Sequence, residues 1–317
     1  MTNAPVGVLG GGAWGRALAS AVTRTKTPAL LYSRRGPGSV RVASGVEVVD
    51  SAFDLAKRAR LIIVAVPSDV LREVARELGE AVDGRHYLVH AIRGLNREDL
   101  SPLSEVLRRE TPARRVGALG GPVLAEEVDS GRPSVIVVGS SYPEVNEAVA
   151  SAFGSEMLRV YTTADLHGLE LSSALMGCLA VGAGYAQRIG LGGGILATLI
   201  TRGVEEAARI TAAAGGQERT VLGLAGYGDL LAALSQRDRP EVVFGAALAE
   251  GKTVHDALGA AKMRVEAAEL IPRVAAFADA RGIASPILQG LALRLREPIS
   301  PNELVAKLMA SPRQSLA

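Results

Sequence analysis

The sequence is poor in aromatic residues, and this scarcity excludes some binding functions. Its 317 residues include one Trp, six Tyr and four Phe, which is 3% of the chain. So few rings cannot form the aromatic platform on which many proteins stack the bases of single-stranded nucleic acid. The net charge is only +2 and no dense basic stripe is present, so we expect no nucleic-acid partner.

Cysteine and long apolar runs are also scarce. The single cysteine, Cys178, excludes an intrachain disulfide and is typical of a reducing compartment. The longest apolar run, residues 174–186, is shorter than the ~20 residues that cross a bilayer. The first residues, Met-Thr-Asn-Ala-Pro, lack the basic and apolar regions of a signal peptide. We therefore expect a cytoplasmic protein with no membrane partner and no metal site.

What the sequence does contain is a change of pattern near its middle. Its first half alternates β-branched runs with helical patterns, which is typical of a doubly wound parallel sheet. Strands are expected at residues 6–9, 29–32, 61–66, 87–91, 116–119 and 134–138. Helices are expected at residues 15–23, 69–78, 103–110, 165–187, 196–214, 220–234, 242–250, 265–281 and 301–310. We predict an α/β domain over residues 1–163 and an all-helical domain over residues 164–317.

A glycine-rich turn between the first strand and the first helix matches G-x-G-x-x-G. Gly10 permits a tight turn, Gly12 lets the backbone approach a pyrophosphate, and Gly15 lets the helix pack against the strand. The helix N-terminus, from Ala13 and Trp14 onward, adds free N–H groups and a partial positive charge. In this strand–turn–helix context the motif indicates a Rossmann domain that binds NAD or NADP. A glycine-rich loop without a ligand is the alternative.

The end of the second strand carries two arginines, Arg34 and Arg35, where an acidic residue would bind the ribose of NAD. Two guanidinium groups can pair with a 2′-phosphate, so the pattern favours NADP over NAD. Alternatively, the pair lies in solvent, or one arginine stacks on the adenine of either cofactor.

Several short motifs follow one another along the whole chain in a specific order. They are G-x-G-x-W-G at 10–15, A-V-P at 65–67, I-R-G at 92–94, G-G-P at 120–122, I-T-R-G at 200–203 and G-L-A-G-x-G-D-L at 223–230. In order and spacing they resemble the NAD(P)-dependent glycerol-3-phosphate dehydrogenase family. The resemblance implies a Rossmann domain, a helical substrate domain, and hydride transfer between NAD(P)H and dihydroxyacetone phosphate.

The resemblance also implies roles for individual residues. Those implied to bind the cofactor are Gly10, Gly12, Ala13, Trp14, Gly15, Arg34, Arg35, Pro67, Arg93, Ala125 and Glu266. Those implied to contact the substrate are Arg93, Gly121 and Asp229, and the first and last of these are also the catalytic candidates.

The sequence departs from the family pattern where proton transfer and phosphate binding are expected. Met176 stands in place of the proton-transfer lysine, and a thioether neither donates a proton nor carries a charge. Arg93 replaces a second lysine. The segment Arg239-Pro240-Glu241 aligns with the family's serine-arginine-asparagine segment, which binds the substrate phosphate. A glutamate at this place repels a phosphate. Further departures are Val123, Gly177 and Ala233.

These departures leave two functions open. One is an active oxidoreductase with a changed substrate, in which His90, His167 or Glu170 supplies a new acid–base group unless these residues are structural. The other is a non-catalytic NAD(P)-binding protein that acts as a sensor, scaffold or regulator. Asp229 acts at the site or caps a helix. Analogy with the family suggests a homodimer.

Overall fold

The chain divides into two compact units, with the boundary between Leu171 and Ser172. The computed structural model describes residues 4–36, 38 and 40–310. The predicted domains also include residues 1–3 and 311–317, which lie outside the described residues. The predicted boundary, between residues 163 and 164, falls just before helix α7 (Leu166–Arg188), whose first turns belong to the first unit.

The first unit is organised around one sheet of eight strands. In chain order they are β1 (Val6–Leu9), β2 (Ala29–Tyr32), β3 (Val46–Val49), β4 (Leu61–Val64), β5 (Tyr87–His90), β6 (Arg115–Gly120), β7 (Ser134–Gly139) and β8 (Leu158–Thr163). Their order across the sheet is β3-β2-β1-β4-β5-β6-β7-β8. The chain runs outward from β1 to β3 and then returns to β4 on the other side of β1. Doubly wound sheets bind ligands at such a reversal, beyond the carboxyl ends of the strands.

Six helices connect these strands. They are α1 (Ala13–Arg24), α2 (Ala52–Arg58), α3 (Leu71–Gly79), α4 (Leu103–Glu110), α5 (Ala125–Ser130) and α6 (Pro143–Phe153). Every residue of β1 and β4 is buried, which is typical of central strands in a sheet covered on both faces.

The sheet confirms the predicted α/β class, and all six predicted strands are present. Two further strands, β3 and β8, lie at the sheet edges and are partly exposed, so they lack the apolar runs that marked the others. The predicted doubly wound sheet is mostly parallel, and its one antiparallel pair among the described strands is β6 with β7. The chain between them contains only the short α5 and reverses direction without a crossover.

The second unit contains helices and, among its described residues, no strand. After α7 come α8 (Gly193–Ala213), α9 (Glu218–Leu222), α10 (Asp229–Ser235), α11 (Pro240–Ala249), α12 (Val254–Ala261), α13 (Ala267–Asp279), α14 (Pro286–Arg296) and α15 (Pro301–Ala310). By length and composition α7 could cross a membrane, but 89% of its most apolar 18-residue window is buried inside the protein. It is therefore a core helix of this protein.

Helices α7 and α11 pack with their backbones in direct contact. A Cβ added at Gly184 would lie 2.2 Å from the carbonyl oxygen of Val242, and one at Gly245 would lie 1.9 Å from that of Val181. Only glycine fits at these two positions. The start of α11, at Pro240, is thereby held close to the middle of α7.

The single helix expected over residues 220–234 is wrong. The segment consists of α9, a π-helical turn (Leu224–Gly228) and α10. The backbone of Gly223 is extended, and a side chain at Gly226 would lie 2.1 Å from the carbonyl oxygen of Val221. The glycines thus interrupt the helix and place Asp229 at the first position of α10. Such π-turns are frequent at functional sites.

A buried carboxylate on α8, that of Glu206, holds the beginning of α14. It accepts hydrogen bonds from the backbone N–H groups of Ile287 and Leu288, at 2.9 and 3.1 Å. Burial outweighs these bonds and raises the pKa of Glu206 to about 7.

This raised pKa predicts a specific pH dependence of stability. Because the folded state binds the Glu206 proton more tightly than the unfolded state, the free energy of unfolding falls as pH rises from about 4.5 to above 7. We expect wild type to lose roughly 3 kcal/mol over this range relative to Glu206→Gln, measured by urea denaturation. The control Glu205→Gln, at a half-exposed position, should keep the wild-type slope. Equal slopes in wild type and Glu206→Gln would contradict the assignment.

Candidate nucleotide-binding site and substrate residues

The turn from β1 into α1 is built on two glycines that the fold itself requires. Gly10 has a φ of +130°, which side chains rarely adopt, and its added Cβ would lie 2.1 Å from the carbonyl oxygen of Ala65. An added Cβ at Gly15 would lie 1.9 Å from the carbonyl oxygen of Gly10. Strand, turn and helix therefore approach one another as closely as backbones allow.

Gly12 has a different environment. It is exposed, and no atom lies within 4 Å of the position that its Cβ would take. Helix α1 begins directly after it, with no side-chain cap and no acidic residue in its first turn. The N–H groups at this helix start are therefore left for an anionic ligand, and the space at Gly12 fits a pyrophosphate.

The ends of three strands meet at this turn. The N–H of Gly10 donates to the carbonyl of Tyr32 at 2.9 Å, and that of Ala65 donates to the carbonyl of Leu9 at 2.8 Å. Beyond β2 the chain exposes Arg34 and Arg35, and beyond β4 it exposes Pro67. The structure thus places these predicted cofactor residues at the same sheet edge as the glycine turn.

Trp14 links the glycine turn to the next strand along the sheet. Its indole N–H donates to the carbonyl of Ala91 at 3.0 Å, directly after β5. Arg93 is half-buried two residues further on. This link could not be predicted from the sequence, because the two partners are 77 positions apart.

Gly121 follows β6, the next strand of the same edge. It has a φ of +94°, and its added Cβ would lie 2.9 Å from a side-chain methyl of Val137. Ala125 begins α5 and is half-buried. Because β1, β4, β5 and β6 are parallel, their carboxyl ends share one edge. That edge carries Gly10, Pro67, Arg93 and Gly121.

The three acid–base candidates occupy different environments. His90 and Glu170 are buried, and the His90 Nε2 lies 2.8 Å from a carboxylate oxygen of Glu170. His167 is partly exposed, and its Nε2 lies 3.9 Å from a carboxylate oxygen of Glu105. Within the first unit, His90 and Glu170 thus bind each other, which favours a structural role for the pair.

In the second unit, Met176 is fully buried on α7. Cys178 is buried one half-turn further along, and burial together with the charge of Glu241 raises the pKa of its thiol to about 12. This stretch of α7 therefore presents no group that exchanges a proton near neutral pH.

Asp229, Arg239 and Glu241 form a buried charged cluster. The Arg239 guanidinium donates to both Asp229 carboxylate oxygens, at 3.3 and 3.4 Å, and its Nε donates to Glu241 at 3.1 Å. Arg239 also donates to the Asp229 carbonyl at 3.3 Å. Helix α10 has no side-chain cap, so the capping role considered for Asp229 is not observed. Two carboxylates already compensate this one cation.

The last predicted cofactor residue, Glu266, directly precedes α13 in the second unit. Its carboxylate accepts a hydrogen bond from the Nε of Arg264 at 2.9 Å. Its half-buried position is compatible with a polar contact to a ligand.

Both halves of the chain match family models. The model described as NAD-dependent glycerol-3-phosphate dehydrogenase N-terminus matches residues 5–146, and the corresponding C-terminus model matches residues 165–306. The chain belongs to this family. Its Rossmann-type first unit and helical second unit are those of the family.

Individual relatives agree with this assignment. Proteins named glycerol-3-phosphate dehydrogenase [NAD(P)+] from Synechocystis sp. and Moorella thermoacetica are each 32% identical over 97% of this chain, and 94% and 96% of their own lengths are covered. The crystal structure of glycerol-3-phosphate dehydrogenase from Coxiella burnetii has a TM-score of 0.88 at 26% identity, covering 96% of this chain and 98% of that one. A ketopantoate reductase from Ralstonia eutropha shares the fold alone, with a TM-score of 0.58 at 19% identity, covering 96% of this chain and 99% of that one.

Family membership confirms several sequence predictions. The resemblance, the fold class, the cofactor class of NAD or NADP and the function of an NAD(P)-dependent dehydrogenase all hold. The comparisons do not support the non-catalytic alternative. The roles of individual site residues stay predictions.

Gly12 has open space around it, whereas Gly10 and Gly15 contact backbone oxygens. We therefore predict that substitutions at these positions separate nucleotide binding from folding. Gly12→Ala places a methyl group in the open space at the helix start, so folding should be unaffected while NADPH affinity falls at least about 100-fold, or roughly 3 kcal/mol. Isothermal titration calorimetry measures the affinity, and thermal unfolding measures stability.

Gly84→Ala is the matched control, because Gly84 is also exposed with no atom within 4 Å of an added Cβ. It should leave both affinity and stability unchanged. Gly10→Ala and Gly15→Ala should instead destabilise the protein, since both would clash with backbone oxygens. Wild-type affinity in Gly12→Ala would rule out the phosphate site at this turn.

Proposed function

We propose that this chain transfers a hydride between NADP(H) and the carbonyl carbon of a small hydroxy ketone, and that it depends less on substrate phosphate than its family does. The observation that carries the proposal is the open space at Gly12 beside a helix start that no side chain caps. A bound nicotinamide cofactor supplies or accepts the hydride. Gly10, Gly12, Ala13 and Gly15 would hold its pyrophosphate.

The preference for NADP rests on the end of β2. Arg34 and Arg35 are exposed there, one strand away from the glycine turn. A 2′-phosphate can form charge-assisted hydrogen bonds with guanidinium groups, whereas a ribose hydroxyl gains less from them. Either cofactor fits the pyrophosphate site, so the arginines set the preference between the two.

The reduced dependence on phosphate rests on the charges around Arg239. Asp229 and Glu241 both bind its guanidinium, so the cluster repels a dianionic phosphate rather than attracting it. A hydroxy ketone without a phosphate, such as dihydroxyacetone, is not repelled in this way. Dihydroxyacetone phosphate, the substrate implied by the family, is the natural comparison.

Handling of the proton also differs from the family pattern. Met176 has no proton to give and is fully buried. Arg93 stays charged at neutral pH, so its contribution is a hydrogen bond and positive charge at the carbonyl oxygen. We infer that a water molecule delivers the proton.

We also infer a cytoplasmic protein that forms a homodimer. The dimer is supported by analogy with the family and by exposed apolar side chains on the second unit. Those side chains are Ile195, Leu222, Leu224 and Leu231. Light scattering of the purified protein should give twice the chain mass.

A substrate comparison tests the proposed function. Wild type should reduce dihydroxyacetone and dihydroxyacetone phosphate with kcat/KM values within about tenfold of each other, because phosphate adds little binding energy. Glu241→Gln removes one negative charge beside Arg239, so kcat/KM for the phosphorylated substrate should rise about tenfold while that for dihydroxyacetone stays unchanged. Steady-state oxidation of NADPH, followed by absorbance, measures both.

Glu250→Gln is the matched control, because Glu250 pairs with Arg188 in a solvent-exposed ion pair on the same unit. It should leave both substrates unaffected. Strong selectivity of wild type for dihydroxyacetone phosphate would show that phosphate recognition is intact and would refute the altered substrate site.

A further inference from the structure

One buried carboxylate binds both ends of the loop that follows β5. This β5–α4 loop comprises residues 91–102. Glu170 Oε1 accepts hydrogen bonds from the His90 Nε2–H and the Ser104 backbone N–H, each at 2.8 Å. Glu170 Oε2 accepts from the Ser104 hydroxyl at 2.6 Å. His90 precedes the loop, and Ser104 lies in the first turn of α4.

Water cannot replace these bonds. The side chains of His90 and Glu170 are 1% and 0% exposed, and Ser104 is fully buried. The N–H of Ile92 points at His90 Nδ1 at 3.4 Å, which places the imidazole proton on Nε2 and makes it the donor to Glu170. Three donors thus satisfy a carboxylate that has lost its hydration, and removing its charge would leave buried donors without an acceptor.

The loop also holds its own shape. The N–H of Asn96 donates to the carbonyl of Ser101 at 2.9 Å, and the Asn96 amide donates to the Asp99 carboxylate at 2.7 Å. The N–H of Leu100 donates back to the carbonyl of Asn96 at 3.0 Å. These bonds tie residues 96–101 to one another, and Arg93 lies between this bonded segment and His90.

The beginning of the loop is also hydrogen-bonded to α1, the helix that follows the glycine turn. Ala91, the residue after His90, accepts the indole N–H of Trp14 at 3.0 Å. Trp14 lies one residue before Gly15, in the first turn of α1. A continuous chain of contacts therefore runs from Glu170 through His90 and Ala91 to Trp14 in the glycine turn.

We propose that Glu170 is a positioning residue for the nucleotide site. By closing both ends of the β5–α4 loop, it sets Trp14 against the glycine turn and fixes where Arg93 lies. The inference rests on the proposed function of that turn and of Arg93. The Glu170 side chain is fully buried and bonded to His90 and Ser104, so its effect on cofactor and substrate is carried by the loop.

Glu170→Gln in the full-length protein tests the proposal. Glutamine has nearly the same size, but its NH₂ group cannot accept a hydrogen bond, so at least one of the three bonds to residue 170 loses its acceptor. At a temperature where both proteins are folded, the Kd for NADPH should rise about tenfold. The emission of Trp14, the only tryptophan, should shift in the absence of nucleotide, and the backbone amides of residues 91–101 should exchange hydrogen faster.

Glu105→Gln is the matched control. Glu105 follows Ser104 on α4, but it pairs with Arg109 on its own helix at 2.7 Å and lies 3.9 Å from the partly exposed His167 rather than at an end of the loop. It should keep wild-type affinity, emission and exchange. If Glu170→Gln does not fold, Ser104→Ala removes a single bond to Glu170 and should shift the Kd in the same direction by about threefold.

The proposal would be overturned if Glu170→Gln kept the wild-type NADPH affinity, Trp14 emission and amide exchange, even with a lowered Tm. If that variant does not fold, the same result in Ser104→Ala would overturn it. Glu170 would then stabilise the fold without setting the site. Failure of the proposed function is distinguishable, because wild type itself would then bind no NADPH. Trp14 emission and amide exchange would still decide whether Glu170 positions the loop.

Discussion

Backbone contact between the β1–α1 turn and the end of β4 is the constraint on which the nucleotide site depends. Gly10 and Gly15 have no room for a side chain, so α1 starts directly above the carboxyl end of the sheet. Its uncapped first turn then lies at the reversal of strand order, where neighbouring strands present Pro67 and Arg93. The turn thereby determines where a nucleotide's phosphates would lie and which loops would surround it.

The two units keep the family's sequence pattern to different degrees. In the first unit the glycines, Trp14 and the sheet edge keep the geometry that a dinucleotide needs. In the second unit, Met176 is buried without a titratable group, and Arg239 is already bound by Asp229 and Glu241. In general, charges in a substrate domain can change without disturbing a cofactor domain, so one fold can serve several substrates.

Structural features that depend on neighbouring residues in the chain could be predicted from the sequence. The glycine turn and the central strands follow from local spacing and β-branched runs. Contacts between residues far apart in the chain could not be predicted. His90 and Glu170 are 80 positions apart, so their hydrogen bond leaves no periodic signal in the sequence. The antiparallel pairing of β6 and β7 depends likewise on contacts between distant segments. The break at Gly223 did have a local signal, because three glycines at 223, 226 and 228 disfavour a continuous helix.

The central claim is that the glycine turn binds a nicotinamide dinucleotide beside Trp14. Titration of the wild-type protein with NADPH and NADH, followed by Trp14 emission and by calorimetry, tests it most directly. We predict saturable binding of one nucleotide per chain, a change in Trp14 emission, and tighter binding of NADPH because of Arg34 and Arg35. Absence of binding heat and of any emission change with both nucleotides would contradict the account.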